Sequence, residues 1–185
     1  MGNRHSEVAS RQAPLRLTYA EDNEEAITFK RVRTVETSNT DVWHGTVSPV
    51  DYPDVAWQYG IDAKLGGYDD LPNPGHVLCA ALAACMDSTV RMIADHLGVG
   101  IEHLEVEVAG DVDVRGCLAI DSSIRAGFRH LQCEIRLRPD PTANERLVRI
   151  VLDQAEQLCV TLDTLREGVA IDVSVEVTAP SFEPV

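Results

Sequence analysis

Asn73-Pro74-Gly75-His76-Val77-Leu78-Cys79-Ala80-Ala81-Leu82-Ala83-Ala84-Cys85-Met86-Asp87 is the stretch from which the fold is read. Asn73 is a helix N-cap, since its side-chain oxygen can accept orphan backbone N–H groups. Pro74 suits the first helical position because it has no N–H to satisfy. Apolar or small side chains then recur at Leu78, Leu82, Cys85, Thr89, Ile93 and Leu97, a helical stripe. Gly98 is the natural stop. The spacing predicts a long helix over 74–97, apolar enough around Cys85 to be the central buried helix.

Downstream, Leu104, Val106 and Val108 alternate with Glu105, Glu107 and Ala109, and Leu131, Cys133, Ile135 and Leu137 alternate with polar residues. Both segments read as strands with one wet face. Pro139-Asp140-Pro141 breaks the second strand, and Thr142 with Glu145 reads as a capping box. Leu147, Val148, Val151, Ala155, Leu158 and Cys159 form a second helical stripe. Ile171, Val173, Val175 and Val177 alternate with Asp172, Ser174, Glu176 and Thr178, the pattern of a closing strand.

Upstream, residues 1–14 are polar and patternless, the composition of a disordered tail. Leu15–Ala20, Ala26–Thr37, Val42–Val47 and Val55–Lys64 read as strands, and 66–75 as a loop. The domain reading is a tail over 1–14 and one domain over 15–180. The fold class is α+β, in the order strands, helix, two strands, helix, strand.

The chain has 185 residues and a formal net charge of −14, which disfavours nucleic acid and anionic membrane surfaces as partners. The apolar run Val77–Met86 is too short to span a bilayer. Five cysteines (Cys79, Cys85, Cys117, Cys133, Cys159) cannot all pair, and free thiols in a reducing cytosol fit them better. Metal-ligand spacing is missing: Cys79 and Cys85 face about 120° apart on one helix. The Gly66-Gly67 pair precedes Asp69-Asp70, which would repel a phosphate. The reading therefore calls for no cofactor and no metal.

Taken singly, each cysteine reads as structural: Cys133 as a small core residue, Cys79 as helix packing, Cys117 as an exposed loop residue without a motif, and Cys85 and Cys159 as core. Cys85 and Cys159 stand out because they lie on the apolar stripes of two different helices, 74 residues apart, where two thiols can meet in one pocket. The segments Asn73-Pro74 … Ala80-Ala81-Leu82-Ala83-Ala84-Cys85 and Ala155-Glu156-Gln157-Leu158-Cys159 … Thr164-Leu165-Arg166 resemble the OsmC/Ohr family, the osmotically inducible and organic hydroperoxide resistance proteins, over about 66–177.

That resemblance implies an OsmC-like fold, with antiparallel sheets around two long helices in an intertwined homodimer. It implies a thiol peroxidase acting on organic hydroperoxides, with Cys85 peroxidatic, Cys159 resolving, and an external dithiol as reductant. The family's usual activating group is an arginine from the N-terminal strands, for which Arg31 and Arg33 are equal candidates. Gly75 stands where the family has a glutamate that holds this arginine, and Val160 where many members have proline. Burial alone would make Cys85 inert, so the sequence calls for a nearby cation. The alternative is a non-enzymatic member that binds a small apolar or electrophilic ligand at the dimer interface.

Overall fold

The computed structural model describes residues 6–35 and 40–177. Its elements are α1 (Glu7–Glu21), β1 (Val32–Val35), β2 (Gly45–Pro49), β3 (Trp57–Tyr59), α2 (Pro74–His96), β4 (Ile101–Val112), the short α3 (Val114–Cys117), β5 (Phe128–Pro139), α4 (Glu145–Leu158) and α5 (Val160–Glu167). The architecture is α+β. Strands β1, β2 and β3 form one antiparallel sheet, and β4 and β5 a second.

Helix α2 begins and ends where the sequence predicts. The Asn73 side chain accepts from the His76 N–H at 3.2 Å, and the His76 ring returns a bond to the Asn73 N–H at 3.3 Å, closing a capping box. Gly98 takes a left-handed φ of 69°, which costs a glycine little. Leu82, Met86, Val90 and Ala94, four residues apart, are buried to 2 % exposure or less. Cys85 and Ile93 flank that column. The centre of the buried face is thus displaced slightly from the stripe read in the sequence. Helix α2 is long and apolar enough to cross a membrane, but this face forms the core with Val99, Leu104, Val151, Ala155 and Cys159.

The β4–β5 ribbon covers α2 with its inner residues. Leu104 pairs with Leu137, Val106 with Ile135 and Val108 with Cys133. On the wet face Glu107 lies opposite Glu134, a repulsive pair. Arg136 relieves it by bonding Glu107 at 2.9 Å, Glu134 at 3.0 Å and Glu105 at 3.2 Å.

Several elements differ from the sequence reading, among them Val42–Val47 and Val55–Lys64, which are observed as β2 (Gly45–Pro49) and the three-residue β3 (Trp57–Tyr59). Residues 7–21, read as the tail and a first strand, form α1, capped by the Ser6 hydroxyl, which accepts from the Ala9 N–H at 2.9 Å. The 26–37 strand is shorter, β1 at Val32–Val35, and 36–37 lie outside the described residues. Asn144, not Thr142, caps α4, its side chain accepting from Arg146 and Leu147. Ile171–Val177 joins no ladder among the described residues, and Ile171, Val173, Val175 and Val177 are 79–86 % exposed.

The first sheet is tied to the start of α2 through the 60–73 loop. The Gly60 N–H donates to the Pro72 carbonyl at 3.1 Å, and the Asn73 amide donates to Asp62 at 3.3 Å. His44 adds a second tie. Its ring bridges Asp41 at 2.8 Å and Asp70 at 3.1 Å and stacks on Tyr68. The two carboxylate contacts push the imidazole pKa up.

Candidate active site: a thiol pair at a helix break

Cys85 lies midway along α2 and is half-buried; Cys159 is fully buried. Cys159 does not sit within a helix. With φ −73° and ψ 106° it is the single extended residue between α4 and α5, capping the end of one and the start of the other. Its N–H donates to the Ala155 carbonyl at 3.1 Å, and its carbonyl accepts from Asp163 at 3.0 Å. The break sets the Thr161 amide of α5 against the sulfur of Cys85.

The two thiols are neighbours whose pKa values shift in opposite directions. Burial pushes the Cys85 thiol up, but donors outweigh it: the Thr161 hydroxyl, the Thr161 N–H and the Cys159 thiol bring it below the ordinary range. Thr89 also reaches the sulfur, but its hydroxyl proton is committed to the Cys85 carbonyl at 2.7 Å, which leaves Thr161 as the principal side-chain donor. Burial pushes Cys159 up, and the contact with Cys85 pushes it further. Cys85 is therefore the more acidic thiol of the pair, and Cys159 the one that keeps its proton to higher pH. Both are unbridged.

Within one chain neither Arg31 nor Arg33 lines the Cys85 cavity. Both are exposed on β1 or just before it, and Arg31 reaches Asp51 at 3.5 Å. Within this chain the groups that lower the Cys85 thiol most are hydrogen-bond donors at the start of α5. Thr161 was not singled out in the sequence; its role depends on a helix beginning at Val160, and the non-proline residue there gave no local sign of it.

Other predicted residues take structural roles. Gly75 lies in the first turn of α2, where a Cβ would come within 3.0 Å of the Asn73 cap oxygen and 3.3 Å of the Phe128 ring. Asp70 is bound to His44 and His76 to Asn73. Asp87 and Arg91 pair at 2.8 Å along α2. Burial pushes the thiols of Cys79 and Cys133 up, and the Cys117 thiol bonds the Ala126 carbonyl.

Cys85 opens on a cavity of about 570 Å³, walled by Met92, Ile93, Leu97, Leu158 and Val160. That size suits a small organic ligand. A larger groove of about 820 Å³ runs between Leu82, Phe128, Ile135 and Leu162. The one cysteine lining it is Cys133, with its raised pKa, whereas Cys85 lines the smaller cavity.

An α+β chain whose central helix brings one thiol against a second at a helix break defines a class of small thiol-pair proteins. The chain belongs to the OsmC-like protein family, whose model matches residues 67–174. Solved structures of similar fold include an OsmC-like protein from Mycoplasma pneumoniae, at 17% identity and TM-score 0.60, covering 77% of this chain and 89% of that one. An OsmC-like protein of unknown function from Vibrio cholerae gives 9% identity and TM-score 0.58, covering 76% and 95%. An organic hydroperoxide resistance protein from Elizabethkingia anophelis with bound thiocyanate gives 17% identity and TM-score 0.55, covering 77% and 91%. No curated protein matches the chain.

Proposed function

We propose that this chain is a cysteine-based peroxidase that reduces organic hydroperoxides. The observation that carries the reading is the Cys85–Cys159 neighbourhood, with the more acidic thiol facing an apolar cavity. The Cys85 thiolate attacks the distal oxygen of ROOH. The O–O bond breaks, RO⁻ leaves and takes a proton to become the alcohol, and Cys85 becomes a sulfenic acid. Cys159 sulfur then attacks the Cys85 sulfur. Its proton and the sulfenic hydroxyl leave as water, and a disulfide remains. An external dithiol restores both thiols and is itself oxidised to a disulfide. The apolar walls favour an alkyl hydroperoxide over hydrogen peroxide, and no cofactor takes part.

The working form is a homodimer. The exposed apolar alternation Ile171–Val177 and the free edges of the two-stranded β4–β5 sheet fit each other as strand and template. Val173→Asp together with Val175→Asp should shift sedimentation from dimer to monomer. Free cysteines fit a cytosolic setting.

The test of the chemistry is one equivalent of cumene hydroperoxide followed by peptide mapping. A Cys85–Cys159 disulfide is expected, and both thiols left free would refute the reading. The second reading, a non-enzymatic ligand binder, is favoured by the glycine at position 75. It predicts that Cys85→Ser binds the same ligands and that no disulfide forms.

A further inference from the structure

Two polar side chains are buried among the described residues, Ser48 and Thr89. Ser48 has a structural duty: its hydroxyl donates to the Val55 carbonyl at 2.7 Å and joins β2 to the chain ahead of β3. Thr89 lies in the core at 6 % exposure, one turn after Cys85 on α2. Its hydroxyl donates to the Cys85 carbonyl at 2.7 Å, and the Ser88 hydroxyl donates to that same oxygen at 2.9 Å. A carbonyl inside a helix also receives the ladder N–H from four residues on. Three donors therefore share one oxygen that has two lone pairs. A hydroxyl bonded back to the carbonyl four residues earlier adds little to a helix. Ser88 is exposed and can turn to water, whereas the buried Thr89 hydroxyl has the Cys85 sulfur as its second acceptor.

The choice between those acceptors depends on the charge on sulfur. A thiol sulfur accepts weakly, so the proton lies on the carbonyl. A thiolate forms a charge-assisted bond roughly twice as strong as a neutral one. When Thr89 leaves the carbonyl, the ladder N–H and Ser88 remain, so no buried acceptor is stranded. We propose that Thr89 is a second hydroxyl donor to the Cys85 thiolate: rotation about its Cβ–Oγ1 bond carries the proton from the Cys85 carbonyl to the sulfur as the thiol ionises. No heavy atom has to move. Sulfur, hydroxyl and carbonyl all belong to one turn of α2, so the device is the same in a single chain and in a homodimer, whatever covers the cavity. It sets the readiness of Cys85 and assigns no substrate, and it holds with or without the peroxidase reading.

The test follows the Cys85 Cβ resonance against pH in the full-length protein carrying isotope-labelled cysteine. Thr89→Val keeps the shape of the side chain and removes the hydroxyl. Its Cys85 midpoint should lie higher, and the thiolate population at a pH well below it should fall about fivefold, the margin of a bond to a charged acceptor over one to a neutral acceptor. Thr89→Ser should restore the wild-type midpoint. Ser88→Ala, which strips a hydroxyl from the carbonyl alone, should leave it unmoved. If the valine variant does not fold, Thr89→Ala replaces it, alanine being the best helix former. Equal midpoints in the wild type and the valine or alanine variant overturn the proposal. So does a serine variant that behaves like valine, and so does a shift in Ser88→Ala as large as that in Thr89→Val, which would place the effect on the carbonyl. Cumene hydroperoxide separates the two readings. A raised midpoint in Thr89→Val, with no Cys85–Cys159 disulfide formed in the wild type, leaves this proposal standing and the peroxidase reading fallen. Disulfide formation with an unmoved midpoint does the reverse.

Discussion

Replacing Thr161 by valine removes a hydroxyl donor from the Cys85 sulfur and keeps the shape of the side chain. A hydrogen bond to a charged group is worth roughly 1.5–3 kcal/mol. Thr161 is half-buried and its N–H still donates, so the lower end applies, about the 1.4 kcal/mol that corresponds to a tenfold change. Below its pKa the thiolate population of Cys85 should fall about tenfold. A more basic thiolate is also a better nucleophile, with a Brønsted slope of about 0.4–0.5, which returns roughly threefold. The net expectation at neutral pH is alkylation about threefold slower. Well above both pKa values the thiolate is fully formed in both proteins, and the variant should react about threefold faster. The two pH–rate curves therefore cross. Stability has the matching sign. The folded protein holds Cys85 below its ordinary value of 9.0, so the thiolate's contribution is present above that value and is lost as pH falls through the lowered pKa. The assay is iodoacetamide labelling across pH, read by peptide mapping because exposed Cys117 also reacts, with Thr161→Ser as the control that keeps the hydroxyl. Superimposable wild-type and Thr161→Val profiles would refute the assignment of Thr161.

Leu82→Ala, at a side chain only 2 % exposed, should cost about 2–5 kcal/mol in urea unfolding; a loss under about 1 kcal/mol would mean the α2 core is not packed as described. His44 should titrate above its ordinary 6.5 in an NMR pH series, because Asp41 and Asp70 both hold the imidazolium. Its contribution to stability is complete below 6.5 and is lost as pH rises through the elevated value; Asp70→Asn should lower that value, and an unmoved titration would dismiss the bridge. Gly75→Glu should lower thermal stability by about 1 kcal/mol, the size of a lost N-cap, because its Cβ crowds the Asn73 oxygen and the Phe128 ring. Faster alkylation of Cys85 in that variant, with stability intact, would contradict this reading.

The central helix was legible because its signals are local. Asn73-Pro74 and Gly98 specify its ends by backbone chemistry alone, and strict alternation specified β4 and β5. Helix α1 was not legible: 7–21 carries a proline at position 14 and buries no residue, so apolar periodicity gives it little signal. A tertiary contact, Asp95 gripping Ser6 and Val8, adds support that no local pattern reveals. The cap of α4 was misplaced by two residues. Asp140 engages the Thr142 hydroxyl at 2.5 Å, while Asn144 holds the first amides of the helix. The alternation at 171–177 is genuine in sequence, but a strand needs a neighbour, and the single chain offers it none among the described residues.

The thiol pair itself was found through the two cysteine motifs, yet its electrostatics could not be. A continuous helix over 145–167 would consume the amides of residues 160–163 in its own i to i−4 bonds. One extended residue at Cys159 instead starts a new helix, and the first amides of any helix lack intrahelical partners. The Thr161 and Leu162 N–H groups are such amides, and they are directed at Cys85 and Cys159 respectively. The start of α5 thus supplies donors to both sulfurs. This explains how a chain with glycine at position 75 can still hold an acidic thiol in an apolar cavity.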